Sequence, residues 1–167
     1  MTKSRGRVAY TRKEYVRSIP PARIARFTVG EPLKDYEYTV ALAPPHDVEI
    51  NESSLEAGRV TANKVLTNTL GDKSYLLRVC IFPHQIVREH KAMGFAGADR
   101  LSQGMRRSFG KPTKKAAKVS ANQKIISVDV YKERVDLAKE AMKRASKKIS
   151  VPTNIVVEQL IITNNEA

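Results

Sequence analysis

The side chains best suited to chemistry in this chain are lysines and arginines, and they concentrate in two segments. Residues 1–27 hold eight Lys/Arg and one acid, and residues 100–118 hold seven Lys/Arg and no acid. Arginine binds phosphate through a two-pronged fork and stacks on bases, whereas lysine supplies a point charge. The whole chain carries +13, and the rest of it is about neutral, so the two segments indicate a polyanionic partner.

Aromatic and glycine residues lie among these bases. The stretch Gly94–Lys118 holds four of the eight glycines, which allow a backbone to approach sugar-phosphate closely. It shows neither helical nor strand periodicity, and a connection of this length is usually functional or disordered. Aromatic rings can stack on unpaired bases, although we expect Phe27 to pack locally instead. The other aromatics among the bases are Tyr10, Tyr15, Phe95 and Phe109.

A nucleotide-binding P-loop is excluded by its spacing. The stretch from Gly104 to Lys111 has five residues between its glycines, whereas the motif needs four. Pro112 follows Lys111 where the motif needs Ser or Thr to hold Mg²⁺.

Catalytic and metal-binding patterns are also missing. The histidines, at positions 46, 84 and 90, form no HExxH pair, and a single cysteine cannot form a CxxC zinc site. We expect Cys80 to be a buried, inert thiol and Asp99–Arg100 to be an ion pair that anchors a loop. The sequence therefore predicts no catalytic residue, no metal, no cofactor and no small-molecule substrate.

Length and composition favour one domain in a reducing compartment. A chain of 167 residues is long enough for one domain with a substantial core. No apolar run is as long as a membrane span, and the basic N-terminus lacks the apolar region of a secretory signal. The single cysteine excludes an intramolecular disulfide framework. We therefore expect a cytoplasmic protein that is not inserted in a membrane.

A patterned, near-neutral part of the chain must position the bases. One helix is predicted between Asn51 and Gly71 and another over residues 133–148, where Val135, Ala138, Ala141/Met142, Ala145 and Ile149 form the buried stripe. We interpret Gly58 as a point of close approach between helix and sheet. The predicted strands are 36–43, 75–82, 85–91, 124–131 and the segment that begins at 154.

This order of elements predicts an α+β fold in which two helices cover one side of a mixed sheet, with or without a short strand near residues 24–29. In the strand 75–82, residues 75, 77, 79 and 81 should face one way and the others the opposite way. We expect a basic N-terminal extension at residues 1–23. The domain itself should span residues 24–167 and carry an extended loop at 92–117.

Long stretches of the chain resemble one protein family. They are SLEAGRVTANK, YLLRVCIFPHQIVREHKAMGFAGADRLSQGMRRSFGKP and YTRKEYVRSIPPARIARFTVG, with shorter patterns towards the C-terminus. In these stretches the chain is similar to the large-subunit ribosomal proteins called L-ten-e in archaea and eukaryotes and L-sixteen in bacteria. Eukaryotic members carry a longer C-terminal extension, so the resemblance implies an archaeal type.

The resemblance implies an α/β-hammerhead-like fold and a structural role in the large ribosomal subunit. The implied partners are large-subunit rRNA of the 23S type, tRNA in the ribosome and neighbouring ribosomal proteins. The implied position is near the tRNA path, with a loop that extends toward the peptidyl-transferase centre. The residues of this loop are Ala98, Asp99, Arg100, Leu101, Ser102, Gln103, Gly104, Met105, Arg106 and Arg107.

We predict rRNA contacts from the two basic segments and from the strand that leads into the loop. The residues are Arg5, Arg7, Tyr10, Arg12, Lys13, Tyr15, Arg17, Arg23, Arg88, His90, Lys91, Lys111, Lys114, Lys115 and Lys118. The alternatives are an enzyme that modifies RNA and a binder of nucleic acid or of a membrane surface outside the ribosome.

Overall fold

The computed structural model of the chain describes Glu14 and residues 16–90, 104–106 and 108–160. These residues form two antiparallel sheets and two helices. The strands are β1 (Thr28–Gly30), β2 (Tyr38–Ala43), β3 (Val48–Asn51), β4 (Leu76–Val79), β5 (Gln85–Glu89), β6 (Lys111–Val119), β7 (Ile126–Val130) and β8 (Asn154–Gln159). The helices are α1 (Glu52–Leu70) and α2 (Val135–Ser146), and a short 3-10 turn (Lys132–Arg134) precedes α2.

The larger sheet, sheet A, has the strand order β1-β4-β7-β2-β8. Every described pairing in it is antiparallel, as in the register Val40 opposite Val128 and Val157. Because β7 and β8 both run antiparallel to β2, they are parallel to each other but are not neighbours. The prediction of a mixed sheet was therefore wrong, since β2 lies between the two strands that α2 connects.

The core lies between one face of sheet A and the two helices. Leu42, Leu77 and Val128 from the sheet and Leu66 and Met142 from the helices are fully buried. The alternation predicted for residues 75–82 is confirmed from Leu77 onward: residues 77, 79 and 81 are buried and residues 78, 80 and 82 are exposed, whereas Tyr75 and Leu76 are both buried. The regular strand is shorter than expected and ends at Val79.

Helix α1 begins and ends where the sequence predicts. Asn51 is its N-cap, although the side chain makes no capping hydrogen bond, and the Gly71 N–H donates to Thr67 O at 3.1 Å. Gly58 confirms the predicted close approach, since a Cβ there would lie 3.3 Å from Ile126 Cδ1 and from Ile149 Cγ1. The stripe predicted for α2 is buried as expected, with Val135 packed at its edge.

The smaller sheet, sheet B, has the order β3-β6-β5 and contains two strands that the sequence did not predict. Strand β6 occupies residues 111–119, so the C-terminal end of the predicted loop 92–117 is regular sheet. Pairing with β3 on one side and β5 on the other imposes the extended backbone on this lysine-rich segment. A register shift between Val87 and Arg88 marks where the ladder approaches the loop.

Candidate nucleic-acid interface

The two basic segments of the sequence meet beside the start of α1. A small cleft of about 50 Å³, which we call the basic cleft, is lined by residues 51–53 at the start of α1, by residues 113–115 of β6, and by Pro20, Pro21 and Arg23 of the N-terminal segment. Arg23 is exposed there, and so is Lys114, while Lys115 is half-buried. Bases far apart in the sequence are therefore combined on one surface.

Two carboxylates of α1 hold the N-terminal segment in this position. The amides of Arg23 and Ile24 donate to Glu52 Oε1 at 2.6 and 3.4 Å, and the Ala25 amide donates to Glu56. Ile24 is buried in the core, which fixes the segment further.

Glu56 is ionised under ordinary conditions. The hydrogen bond from the Arg59 guanidinium is the largest influence on the pKa of Glu56, which is lowered although burial opposes the shift. The contact is bidentate, because Arg59 Nε and Nη2 reach the two carboxylate oxygens at 2.9 and 2.6 Å.

Strand β6 presents its lysines through the two-residue period of a strand. Ala117 and Val119 face the core. Lys114, Ala116 and Lys118 share the opposite face, where the two lysines are exposed and Ala116 is buried. Lys111, at the start of the strand, is exposed as well. The strand is anchored by its small apolar residues, while its lysines at positions 111, 114 and 118 are exposed.

Lys118 has an acidic neighbour across the sheet. It pairs in register with Glu49 of β3. Burial raises the pKa of Glu49, and the nearby Lys118 ammonium opposes this by favouring the carboxylate. Glu49 thus reduces the positive potential at this end of β6, and we expect the potential to be stronger at Lys114.

Arg88 is engaged with the protein at the base of the loop. Its Nε donates to Phe109 O at 3.2 Å and its Nη2 donates to Gly110 O at 2.8 Å. The guanidinium carbon also lies 3.9 Å from the centre of the Phe109 ring. Arg88 therefore connects β5 to the start of β6, and its predicted rRNA contact stays a prediction.

A turn near the middle of the predicted loop projects an apolar side chain. Gly104, Met105 and Arg106 form this turn, and the Ser108 N–H donates to Met105 O at 3.1 Å. Met105 is 84% exposed.

Arg17 and His90, among the predicted rRNA contacts, are exposed too. The predicted site residues that lie outside the described part of the chain are Arg5, Arg7, Tyr10, Arg12, Lys13, Tyr15, Lys91, Ala98, Asp99, Arg100, Leu101, Ser102, Gln103 and Arg107.

The prediction that Cys80 is a buried thiol was wrong. The side chain is exposed, since Cys80 lies just beyond the end of β4 at Val79, and its Sγ lies 3.3 Å from Ser127 Oγ. His84 is exposed, and its Nδ1 lies 3.2 Å from Phe82 O. Phe82 stacks on Phe27 with ring centres 5.6 Å apart, in agreement with the local packing expected for Phe27.

The described residues offer neither a metal site nor a membrane span. No group of three or more His, Cys, Asp or Glu in that part of the chain could hold a metal ion. Neither described helix combines the length and apolarity needed to cross a membrane.

Sequence reasoning identified the bases but missed what assembles them. Glu52 and Glu56 were not predicted as anchors for the N-terminal segment. The alternation of Lys118 with Ala117 and Val119 was the one signal that could have indicated β6.

Comparisons with known proteins give a consistent result. The family model described as Ribosomal protein L16p/L10e matches residues 5–156. The chain is 46% identical over 148 residues to large ribosomal subunit protein uL16 of Hyperthermus butylicus, covering 89% of this chain and 82% of that relative. It is 47% identical over 150 residues to uL16 of Archaeoglobus fulgidus, covering 90% and 86%. With uL16 of Thermofilum pendens it shares 46% over 154 residues, covering 92% of both.

Proposed function

The chain belongs to the ribosomal protein L16p/L10e family, and from this premise we propose how it contacts rRNA. It is a non-enzymatic structural component of the large ribosomal subunit. As part of the cytoplasmic ribosome, it takes part in translation. Its partners are rRNA and other ribosomal proteins. The finer proposal is that the basic cleft and the exposed face of β6 form the docking surface for the phosphate backbone of large-subunit rRNA.

The observation that carries this proposal is the convergence of the two basic segments. Arg23 on one wall and Lys114 on the other lie at a cleft whose single carboxylate, Glu52, is buried and accepts hydrogen bonds from backbone amides. Like charges held together on a small domain repel each other unless a polyanion is present. A phosphate backbone across the cleft relieves this repulsion and releases counterions.

Regular structure makes this surface a preorganised one. Lys114 pairs with Val87 of β5 and Lys118 pairs with Glu49 of β3, so the Cα positions of both lysines are set before RNA arrives. Less ordering entropy is then lost on binding than for a free basic tail.

We further propose that residues 98–107 form the element that reaches toward the tRNA path and the peptidyl-transferase centre. The resemblance to the family supports this, and so does the exposed Met105 turn. Deleting residues 98–108 should preserve the fold and most rRNA docking but impair tRNA binding by the assembled subunit. A deletion variant that fails to fold would contradict the view of this segment as an external element.

Salt-dependent binding tests the proposed docking surface directly. The double variant Lys114→Gln/Lys118→Gln should bind deproteinised large-subunit rRNA about tenfold more weakly at physiological salt, because two phosphate contacts are lost. The slope of log affinity against log salt should also fall by about 1.4–1.8.

The matched control is Lys73→Gln/Lys132→Gln, which removes the same charge at two exposed lysines away from the cleft. If the two double variants weaken binding equally, only net charge matters and the docking surface is wrong. Affinity that does not depend on salt would contradict rRNA binding through phosphate altogether.

A further inference from the structure

A second cationic surface lies between the two helices, away from the basic cleft. Helices α1 and α2 pack against each other, and their outer sides enclose a groove of about 350 Å³. We call it the helix groove. Its polar lining consists of Thr61, Lys64, Asn68, Thr69, Glu140 and Arg144.

The charges of the helix groove favour an anionic occupant. Lys64 from α1 and Arg144 from α2 supply a cation on each wall. Glu140 is the one carboxylate in the lining, and it accepts a hydrogen bond from Arg144 Nη2 at 2.5 Å. This contact uses one nitrogen of the guanidinium and steadies the side chain, so the other donors can face the groove.

Further cations extend this charge along α2. Lys147 and Lys148 follow Arg144 at i+3 and i+4, and Lys143 follows Glu140 at i+3. This spacing places the three lysines near the α2 wall of the groove, where Glu140 and Arg144 lie. All three are exposed, and no carboxylate of the described residues lies within 4.0 Å of their ammonium groups. The occupant therefore meets a row of cations rather than a single charge.

The remaining lining groups suit a sugar-phosphate chain. The Thr61 hydroxyl donates to Ala57 O and the Thr69 hydroxyl to Val65 O, so each retains acceptor capacity toward the groove. Asn68 is exposed and carries both a donor and an acceptor. Such groups recognise a ribose 2′-hydroxyl, whereas Lys64 and Arg144 recognise phosphate.

We propose that the helix groove is a second binding site for the rRNA backbone, so that the protein contacts RNA on two separate surfaces; this rests on the proposed function. The row of cations beside the groove favours a repeating polyanion over a single acidic side chain of a neighbouring protein. Lys64 lies about 17 Å along α1 from Ser53 at the basic cleft, which exceeds the screening length of about 8 Å at physiological salt. The two surfaces therefore act independently, and mutational losses of affinity should add.

The test uses the full-length protein and deproteinised large-subunit rRNA as the probe. The variant Lys64→Gln/Arg144→Gln should weaken binding about tenfold and lower the salt slope by about 1.4–1.8, as expected for two lost phosphate contacts. Adding Lys114→Gln/Lys118→Gln should multiply the losses. The single variant Glu140→Gln should tighten binding, because it removes the negative charge that faces the phosphates and keeps an oxygen that can accept from Arg144.

Chemical protection gives an independent readout that does not need a variant. Acylation of the Lys64 amine, followed by mass spectrometry, should slow in the rRNA complex, whereas Lys73 should react at the same rate in both states. Lys73→Gln/Lys132→Gln is again the charge-matched control, and circular dichroism verifies the fold of every variant.

The outcomes separate the two proposals. If the helix-groove variant binds like the control and Lys64 is not protected, while the β6 variant still loses affinity, the second site is overturned and the proposed function stands. If the helix-groove variant binds free rRNA normally but fails to enter assembled subunits, the groove docks a protein and the RNA proposal is overturned. If neither variant loses more affinity than the control, both proposals fail.

Discussion

The two sheets differ sharply in what their side chains do. Sheet A carries one base and two acids over five strands, and its middle strand β7 is buried at every position. Sheet B carries five bases and two acids over three strands, and the exposed lysines of β6 are among them. Sheet A therefore builds the core with the helices, whereas sheet B uses a short apolar anchor to hold cations in place.

The difference shows how a basic protein of this size can fold before it meets RNA. A sheet in which cations alternated with apolar residues throughout would repel itself and bury little surface. Here the apolar residues concentrate in sheet A. The core that sheet A forms with the helices therefore supplies the stability that offsets the charge repulsion within sheet B.

The largest expected effect is the loss of stability caused by a substitution in the core of sheet A. Ile126→Ala removes a fully buried side chain that lies under Gly58 and should lower the free energy of unfolding by about 2–5 kcal/mol. Urea denaturation measures this loss. Lys114→Ala on β6 is the control, and its effect should stay within about 0.5 kcal/mol because the residue is exposed and lies opposite Val87 rather than an acid. Equal losses from the two variants would remove the distinction between the sheets.

A smaller loss of stability should follow from a substitution at Gly110, which lies directly before β6. Gly110 has φ 73°, and a Cβ there would lie 2.6 Å from the Glu89 carbonyl carbon. Gly110→Ala should therefore cost about 1–3 kcal/mol, and faster amide hydrogen exchange in β5 and β6 should locate the damage.

Gly104→Ala is the control for backbone strain alone. Gly104 has φ 59°, but no atom of the described residues lies within 4 Å of a Cβ there, so its substitution should cost less than that of Gly110. A larger loss at Gly104 would show that close packing at the end of β5 does not matter.

The smallest effect concerns pH and Glu49 in sheet B. Its folded pKa is raised above the ordinary 4.5 by burial, so the folded state binds this proton more tightly than the unfolded state does. Stability from this group is present below pH 4.5 and is lost as pH rises through the folded pKa. Glu49→Gln should thus be slightly more stable than the parent protein at neutral pH.

Denaturation curves at several pH values check this prediction. The advantage of Glu49→Gln should shrink as pH falls toward 4.5, since Glu49 then becomes neutral in the parent as well. The loss of the attraction to Lys118 opposes the gain, which keeps the effect below about 1 kcal/mol. An advantage that grows on acidification would contradict the sign.

Local patterns in the sequence predicted the elements of the core well. The stripe of α2, the ends of α1 and the role of Gly58 follow from periodicity and residue size, which the structure preserves. Strand β6 was missed because its lysines hide the two-residue period, and pairing with β3 and β5 decides its conformation.

Features that depend on distant contacts could not be predicted locally. Arg23 and Lys114 line the same cleft because the backbone amide of Arg23 donates a hydrogen bond to Glu52. Cys80 was expected to be buried because its neighbours are apolar, but the regular strand ends at Val79 and the thiol is exposed. The mixed sheet was expected from the order of elements, which does not reveal that β2 inserts between β7 and β8.

The position of β2 between β7 and β8 also sets the order in which a growing chain can fold. Both neighbours of β2 come from residues 126–159, although β2 itself ends at Ala43. During synthesis β2 has neither of these partners until the C-terminal third of the chain has left the ribosome that makes it. Contacts this distant in sequence slow folding, and sheet A closes only after β8 has been synthesised.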